Sequence, residues 1–214
     1  MLKLFKSRAL PGGQIRLAGP VYFVRHGQTD WNAARKFQGH ADIPLNDTGR
    51  HQAARNGLAL REALGRAAPL FCVASPLSRA TETLEIIRKT LDLPARRYML
   101  DDRLIEIDLG AWNGKTPDEI NTETPGAFEA RDTDKWSFEV PGGESYAAAS
   151  GRTRAFLEEL RAEKRSAPLL IVGHGAAGRI LRGYLSNRTR DAVPHLKAPQ
   201  HKVFKLWRGR ETAL

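Results

Sequence analysis

Val21-Tyr22-Phe23-Val24, running directly into Arg25-His26-Gly27, is the stretch that decides the fold. Four consecutive apolar residues without alternation describe a short strand covered on both faces. The strand then breaks into a cation, an imidazole and a glycine. The same pattern occurs twice more. Leu70-Phe71-Cys72-Val73-Ala74 runs into Ser75-Pro76-Leu77-Ser78-Arg79, and Leu169-Leu170-Ile171-Val172 runs into Gly173-His174-Gly175. A fourth run, Val203 to Trp207, is interrupted by Lys205 and reads as a more exposed edge strand.

Helical patterns lie between these runs. Asn46-Asp47-Thr48-Gly49 offers cap chemistry for a helix to about Leu64. Leu77 to Leu91 carries Leu84, Ile87 and Leu91 at helical spacing. Further helices are expected from Ser145 to about Lys164 and from Ala176 to Leu185. Strands alternating with helices predict an α/β fold, a three-layer α/β/α sandwich around a mainly parallel central sheet. The stretch 110–143 is different, rich in Gly, Pro, Asn and Thr. Its Thr116-Pro117-Asp118-Glu119 is a capping box with proline at the first helical position. A connection this long in a compact domain usually has a task, so it reads as a short lid inserted over a site.

The chain has 214 residues, enough for one domain with a real core. Residues 21–214 read as that single domain. Residues 1–20 carry Lys3, Lys6, Arg8 and Arg16 and no acid. They read as a basic N-terminal extension, flexible or lying on the domain surface, and lack the apolar core of a signal peptide. No run approaches the roughly 20 apolar residues of a membrane helix, so no membrane partner is expected. The single cysteine, Cys72, forms no internal disulfide and sits among apolar neighbours, as a buried core residue would. A cytoplasmic location follows as the expectation. The formal charge of +10 favours anions. The basic residues are scattered, and no nucleic-acid motif or aromatic-basic array accompanies them, so nucleic acid is not the expected partner.

In an open α/β sheet, ligands bind outside the carboxyl ends of the strands. Two histidines and two arginines are therefore expected to converge on one sheet edge. Arginine and histidine beside glycines that let the backbone approach suit a phosphoryl group. One such residue at a strand end says little; recurrence at three strand ends says more. His40, His51, His195 and His201 have no metal-ligand spacing and read as structural or rim residues, so neither metal nor cofactor is expected.

Arg25-His26-Gly27-Gln28-Thr29-Asp30-Trp31-Asn32 resembles the signature of the histidine phosphatase superfamily, the phosphoglycerate mutase-like family. The resemblance continues through Phe37 to Asn46 and Gly49, through Ser75 to Thr83 and through Leu104 to Gly114. Pro141 to Ser145 and Val172 to Gly175 complete it. Several separate motifs in order, over roughly 21–207, make the match specific where a bare Arg-His-Gly would not be. Ala176 departs from a glycine often found there; if only backbone amides matter, the departure is harmless.

The resemblance implies roles. His26 is the expected nucleophile, and Arg25, Arg79 and His174 hold the phosphoryl oxygens with help from Asn32. Glu106 is the expected proton donor. Gln38, Gly39, Thr29 and Gly175 line the substrate side. Physical chemistry adds conditions. An attacking imidazole needs one nitrogen unprotonated, so the other should be pinned as a donor, and nearby arginines disfavour the imidazolium. Glu106 should have a pKa raised toward neutrality beside Ile105, Ile107 and Trp112, with Asp108 as its rival. The implied activity is a metal-independent phosphatase for a small phosphorylated substrate, as monomer or homodimer. The alternatives are a mutase that returns the phosphoryl group to a second oxygen, and a non-catalytic phospho-ligand-binding protein. The lid, read as acidic as much as basic (Asp118, Glu119, Glu123, Glu129, Asp132, Asp134), favours hydrolysis over transfer.

Overall fold

The continuous apolar runs become inner strands. The computed structural model describes residues 8–65, 69–95 and 97–214. Its sheet comprises β1 (Val21–Arg25), β2 (Phe71–Ala74), β3 (Met99–Leu100), β4 (Leu169–Gly173), β5 (Val203–Trp207) and β6 (Arg210–Ala213), in the order β3-β2-β4-β1-β5-β6. The first four are mutually parallel and the last two antiparallel to their neighbours. Arg25 pairs with Gly173, and Ala74 with Val172. That register brings the three polar strand ends to one edge.

Alternate residues of each strand enter two separate cores. Val21, Phe23, Val73, Leu169 and Ile171 pack with α6 (Tyr146–Ala162) and α7 (Ala176–Leu185). Tyr22, Val24, Cys72, Leu170 and Val172 pack with α2 (Asp47–Leu64) and α3 (Ser78–Thr90). The layers are therefore α/β/α, and period-two strand geometry explains why every residue of these runs is apolar. Caps start the helices where the sequence places them. The Asn46 side chain accepts the Gly49 N–H at 2.9 Å and Ser145 accepts that of Ala148 at 3.2 Å. Among the described residues, no helix is long and apolar enough to cross a membrane.

Three expectations need correction. Val203–Trp207 is not an edge: β1 lies on one side of it and β6 on the other. Lys205 is accommodated because its ammonium rests 5.8 Å from the centre of the Tyr22 ring. The true edge, Arg-Glu-Thr-Ala, has no apolar pattern and is joined by a two-residue turn in which Arg208 and Gly209 both have positive φ. That geometry matches the twist of a hairpin. Second, the basic extension is partly anchored. Leu10 and Ile15 are buried in the α6/α7 core, and the Ile15 N–H donates to the Tyr184 carbonyl at 3.1 Å. Lys3 and Lys6 lie outside the described residues. Third, the two-residue β3 is absent from the sequence reading.

The 110–143 stretch carries α4 (Pro117–Glu123) and α5 (Ala127–Thr133) over a small core of Trp112, Ile120 and Val140. Thr116 and Glu119 form the expected reciprocal cap. The base of the stretch is closed. The Glu144 N–H donates to the Asp108 carbonyl at 2.8 Å, and that of Ala111 to the Pro141 carbonyl at 3.0 Å. Arg152 on α6 grips Glu144 through both carboxylate oxygens and donates to the carbonyls of Arg103, Ile105 and Glu106.

Candidate active site

β1 ends at Arg25, and the next residue, His26, is 3% exposed. The His26 backbone N–H donates to the Gly173 carbonyl at 2.9 Å, and its ring Nδ1 lies 2.7 Å from the Gly27 carbonyl. A carbonyl only accepts, so Nδ1 carries the proton and Nε2 keeps its lone pair. The turn that does this is tightly built. A Cβ on Gly27 would sit 2.3 Å from the Gly49 carbonyl oxygen, so β1 and the start of α2 touch through bare backbone. The Gly27 N–H donates to Thr83 Oγ1, which in turn donates to the Arg79 carbonyl. The loop bearing His26 is thereby tied to the helix bearing Arg79.

Arg79 is fully buried in the first turn of α3. Leu77 supplies no side-chain cap there; Asp42 accepts the Ser78 N–H at 2.8 Å instead. The Arg79 guanidinium donates to the carbonyls of Ala41 and Gly39 at 2.6 and 2.9 Å, and its Nε has no partner among the described residues. Arg25 donates to the Ala198 carbonyl at 2.9 Å, and its Nε is likewise unpartnered among those residues. Burial, only partly offset by Glu106, pulls the Arg25 pKa down to about 10. His174 is fully buried 5.1 Å from His26, centre to centre, with Nε2 2.7 Å from Ser75 Oγ and Nδ1 unpartnered among the described residues. Both histidines are held well below the ordinary imidazole range. Burial is the chief cause, followed for His26 by His174, Arg25 and Arg79, and for His174 by Arg79 and Arg25.

Glu106 departs from expectation. Burial raises its pKa, but the N–H groups of Ala177, Ala176 and Ile107 and the charge of Arg25 outweigh that and hold it below the usual carboxylate range. Its oxygens accept from Gly175, Ala176 and Ala177 at 2.9 to 3.1 Å, across the N-terminus of α7. The carboxyl is therefore ionised, not poised near neutrality. The Ala176 N–H makes two of these bonds, so its methyl in place of a glycine hydrogen leaves that function intact. The rival, Asp108, is elsewhere, accepting from Gly110 and Asn113.

Arg25, His26, Asn32, Gln38, Gly39, Arg79, Glu106 and Gly175 line one cavity of about 240 Å³. His174 stands behind it. Thr29 does not line it: fully buried, it caps α1 (Asp30–Ala33), accepting the Asn32 N–H at 3.1 Å. Asn32, which lines the cavity, accepts at Oδ1 from Gln200 at 2.8 Å and from the Thr29 N–H at 3.3 Å. His40 sits at the rim, its Nε2 2.9 Å from the Glu106 carbonyl.

Four cations of this cavity, Lys36, Arg131, Lys135 and Arg179, are missing from the sequence reading. The view of the 110–143 stretch as evenly acidic and basic is also amended. Asp118, Glu119, Glu123, Glu129, Asp132 and Asp134 are all exposed and none lines the cavity, whereas Arg131 and Lys135 are half-buried and do. The spacing of four between Arg131 and Lys135, flanked by aromatics, was the available signal.

Comparison with known proteins identifies the family. The family model described as "Histidine phosphatase superfamily (branch 1)" matches residues 21–212. A glucosyl-3-phosphoglycerate phosphatase of Mycobacterium tuberculosis is 36% identical over 164 residues, covering 72% of this chain and 70% of the relative. Phosphoglycerate mutase-like protein 4 of Arabidopsis thaliana is 35% identical over 192 residues, covering 88% of this chain and 80% of the relative. A solved mycobacterial glucosyl-3-phosphoglycerate phosphatase in complex with VO3 superposes with a TM-score of 0.76 at 28% identity, covering 91% of this chain and 97% of that one.

Proposed function

This chain belongs to branch 1 of the histidine phosphatase superfamily, and we propose that within it the chain is a metal-independent phosphatase that carries the phosphoryl group on His26. One observation carries the reading. His26 Nδ1 is pinned by the Gly27 carbonyl, leaving Nε2 as a nucleophile in a cavity lined by the half-buried Arg25 and the fully buried Arg79. A phosphoryl group in transfer needs position and positive charge more than covalent help. The unpartnered Nε atoms of Arg25 and Arg79 and the Asn32 amide are suited to its oxygens, with the buried His174 behind. A relative named as a phosphatase supports hydrolysis over return of the group to a second alcohol oxygen.

Nε2 of His26 attacks phosphorus as the bond to the leaving oxygen breaks. The leaving oxygen needs a proton, and Glu106 is ionised at rest. A phosphomonoester monoanion brings one: the proton passes from the phosphoryl oxygen to Glu106 and on to the leaving alcohol. In the second half, water attacks the phosphohistidine, Glu106 accepts its proton, and the N–P bond breaks to release inorganic phosphate.

The test is phosphate release from phenyl phosphate in EDTA, with wild type and His26→Ala compared. Release that survives EDTA and disappears with His26 supports the reading. A strict metal requirement, or equal release by the variant, overturns it. In ¹⁸O-water, label in the released phosphate marks hydrolysis; transfer of unlabelled phosphoryl to an added alcohol marks the mutase alternative.

A further inference from the structure

The cavity carries two groups of cations. Arg25 and Arg79, at the strand ends, belong to the phosphoryl site described above. The second group, from α5, the turn after it and α7, is Arg131, Lys135 and Arg179. Arg131 is held from behind, its guanidinium 5.9 Å from the ring centres of Phe37, Trp112 and Phe128. Among the described residues it forms no ion pair. Arg179 donates through Nε to the Leu196 carbonyl and through one terminal nitrogen to the Tyr146 hydroxyl, and it too has no acidic partner among those residues. Lys135 has one, the exposed Asp132 at 3.5 Å.

Three half-buried cations close enough to repel one another are an unfavourable arrangement for the empty protein. Burial lowers the pKa of both Arg131 and Lys135, and Arg179 adds to the effect on each. Among the described residues, the exposed Asp132 offsets this only in part for Arg131 and Lys135. The two acids that line the cavity are engaged elsewhere: Glu106 by the amides of α7, and Glu144 by both arms of Arg152. The seven carboxylates of the 110–143 stretch, Asp132 among them, are exposed.

We infer that Arg131, Lys135 and Arg179 form a second anion subsite, and that the substrate is a phosphomonoester whose alcohol part bears a further anionic group. This rests on the phosphohydrolase reading for the first phosphoryl group and adds the identity of the other end. The shared chemistry is a carboxylate or a second phosphate. A planar carboxylate fits the two-nitrogen face of one guanidinium, and a tetrahedral phosphate engages all three cations.

The test uses non-hydrolysable ligands so that binding is read without turnover. Calorimetric Kd values are measured for butylphosphonate, 4-phosphonobutanoate and propane-1,3-bisphosphonate. The wild type should bind at least one of the two doubly anionic ligands tenfold or more tightly than butylphosphonate, and which one identifies the group. In Arg131→Gln/Lys135→Gln that preference should fall toward unity, with unchanged circular dichroism and thermal midpoint checking the fold. Equal affinities in the wild type, or a preference the double variant leaves intact, overturn the subsite. Phenyl phosphate hydrolysis is assayed alongside. Turnover without any preference sinks the subsite and leaves the phosphatase; a preference without turnover does the reverse.

Discussion

The Ala177 backbone N–H donates to Glu106 Oε1 at 2.9 Å, so a carboxylate from one loop is the anion that caps α7. This single pairing joins stability to chemistry. The residue assigned to proton transfer also satisfies the helix end that follows His174.

Leaving-group dependence follows first. Glu106→Gln should slow hydrolysis of an alkyl phosphate by about a hundredfold or more, within the range for general acid catalysis. Phenyl phosphate, whose leaving group needs less protonation, should lose much less in the same half-reaction. Single-turnover rates on both esters decide it. Equal losses would remove Glu106 from the acid role.

The pH profile follows from Glu106 being held low. Its proton arrives with the substrate, so kcat/KM should fall as pH rises through the substrate's own second ionisation, about 6 for an ordinary phosphomonoester. The limb should move when the ester is changed for one of lower second pKa, such as a nitrophenyl phosphate. A limb fixed at one pH for every ester would assign the proton to the enzyme.

Low-pH stability should be set by the two buried histidines. Their folded pKa values lie well below the ordinary imidazole value, chiefly through burial. Above about pH 6.5 neither state binds the proton, and stability is at its full value. Below it the unfolded chain binds protons that the folded chain refuses, so stability is lost at about 1.4 kcal/mol per pH unit for each histidine. Urea unfolding between pH 7.5 and 5 measures the slope, and His174→Gln should make it shallower. Parallel slopes in the two proteins would contradict the assignment.

Gly49 offers a substitution for which two effects oppose. It lies in the first turn of α2, where alanine would be favoured by up to about 1 kcal/mol. The added Cβ would meet the Gln28 carbonyl oxygen at 2.1 Å and its nitrogen at 2.7 Å, both backbone atoms. Contact should win: Gly49→Ala is expected to destabilise by about 1–3 kcal/mol and to lower turnover by displacing the loop after His26. A stabilised variant with unchanged kcat would show that the loop gives way freely.

The sequence exposed the inner sheet because β1, β2 and β4 are buried on both faces and therefore read as unbroken apolar runs. Arg25, His26, Arg79 and His174 were legible for the same reason, each sitting just beyond such a run or a few residues after it. Lys205 misled, because a long side chain can lie over Tyr22 while its strand is interior. Glu106 was found by motif, but its ionisation was not, since the amides of Gly175, Ala176 and Ala177 that help to fix it are 69 to 71 positions away. Thr29 was placed at the substrate because motif membership does not separate a helix cap from a ligand contact. Arg131 and Lys135 were hidden among the seven acids of the 110–143 stretch. Which way a short amphipathic segment turns depends on Trp112, Ile120 and Val140, which collect only in the folded chain.

The closed base of the 110–143 stretch bears on how such a protein can diversify. Asp108 and Glu144 meet through backbone, and Arg152 holds both sides from a helix outside the stretch. What lies between them is a loop whose ends are already fixed. Doubling the length of such a loop adds only about 0.6 kcal/mol of closure entropy. Insertions and deletions there are consequently cheap for the fold, while the phosphoryl end, built from three strand termini, tolerates almost none. Substrate range and phosphoryl chemistry can thus change at separate rates within one chain.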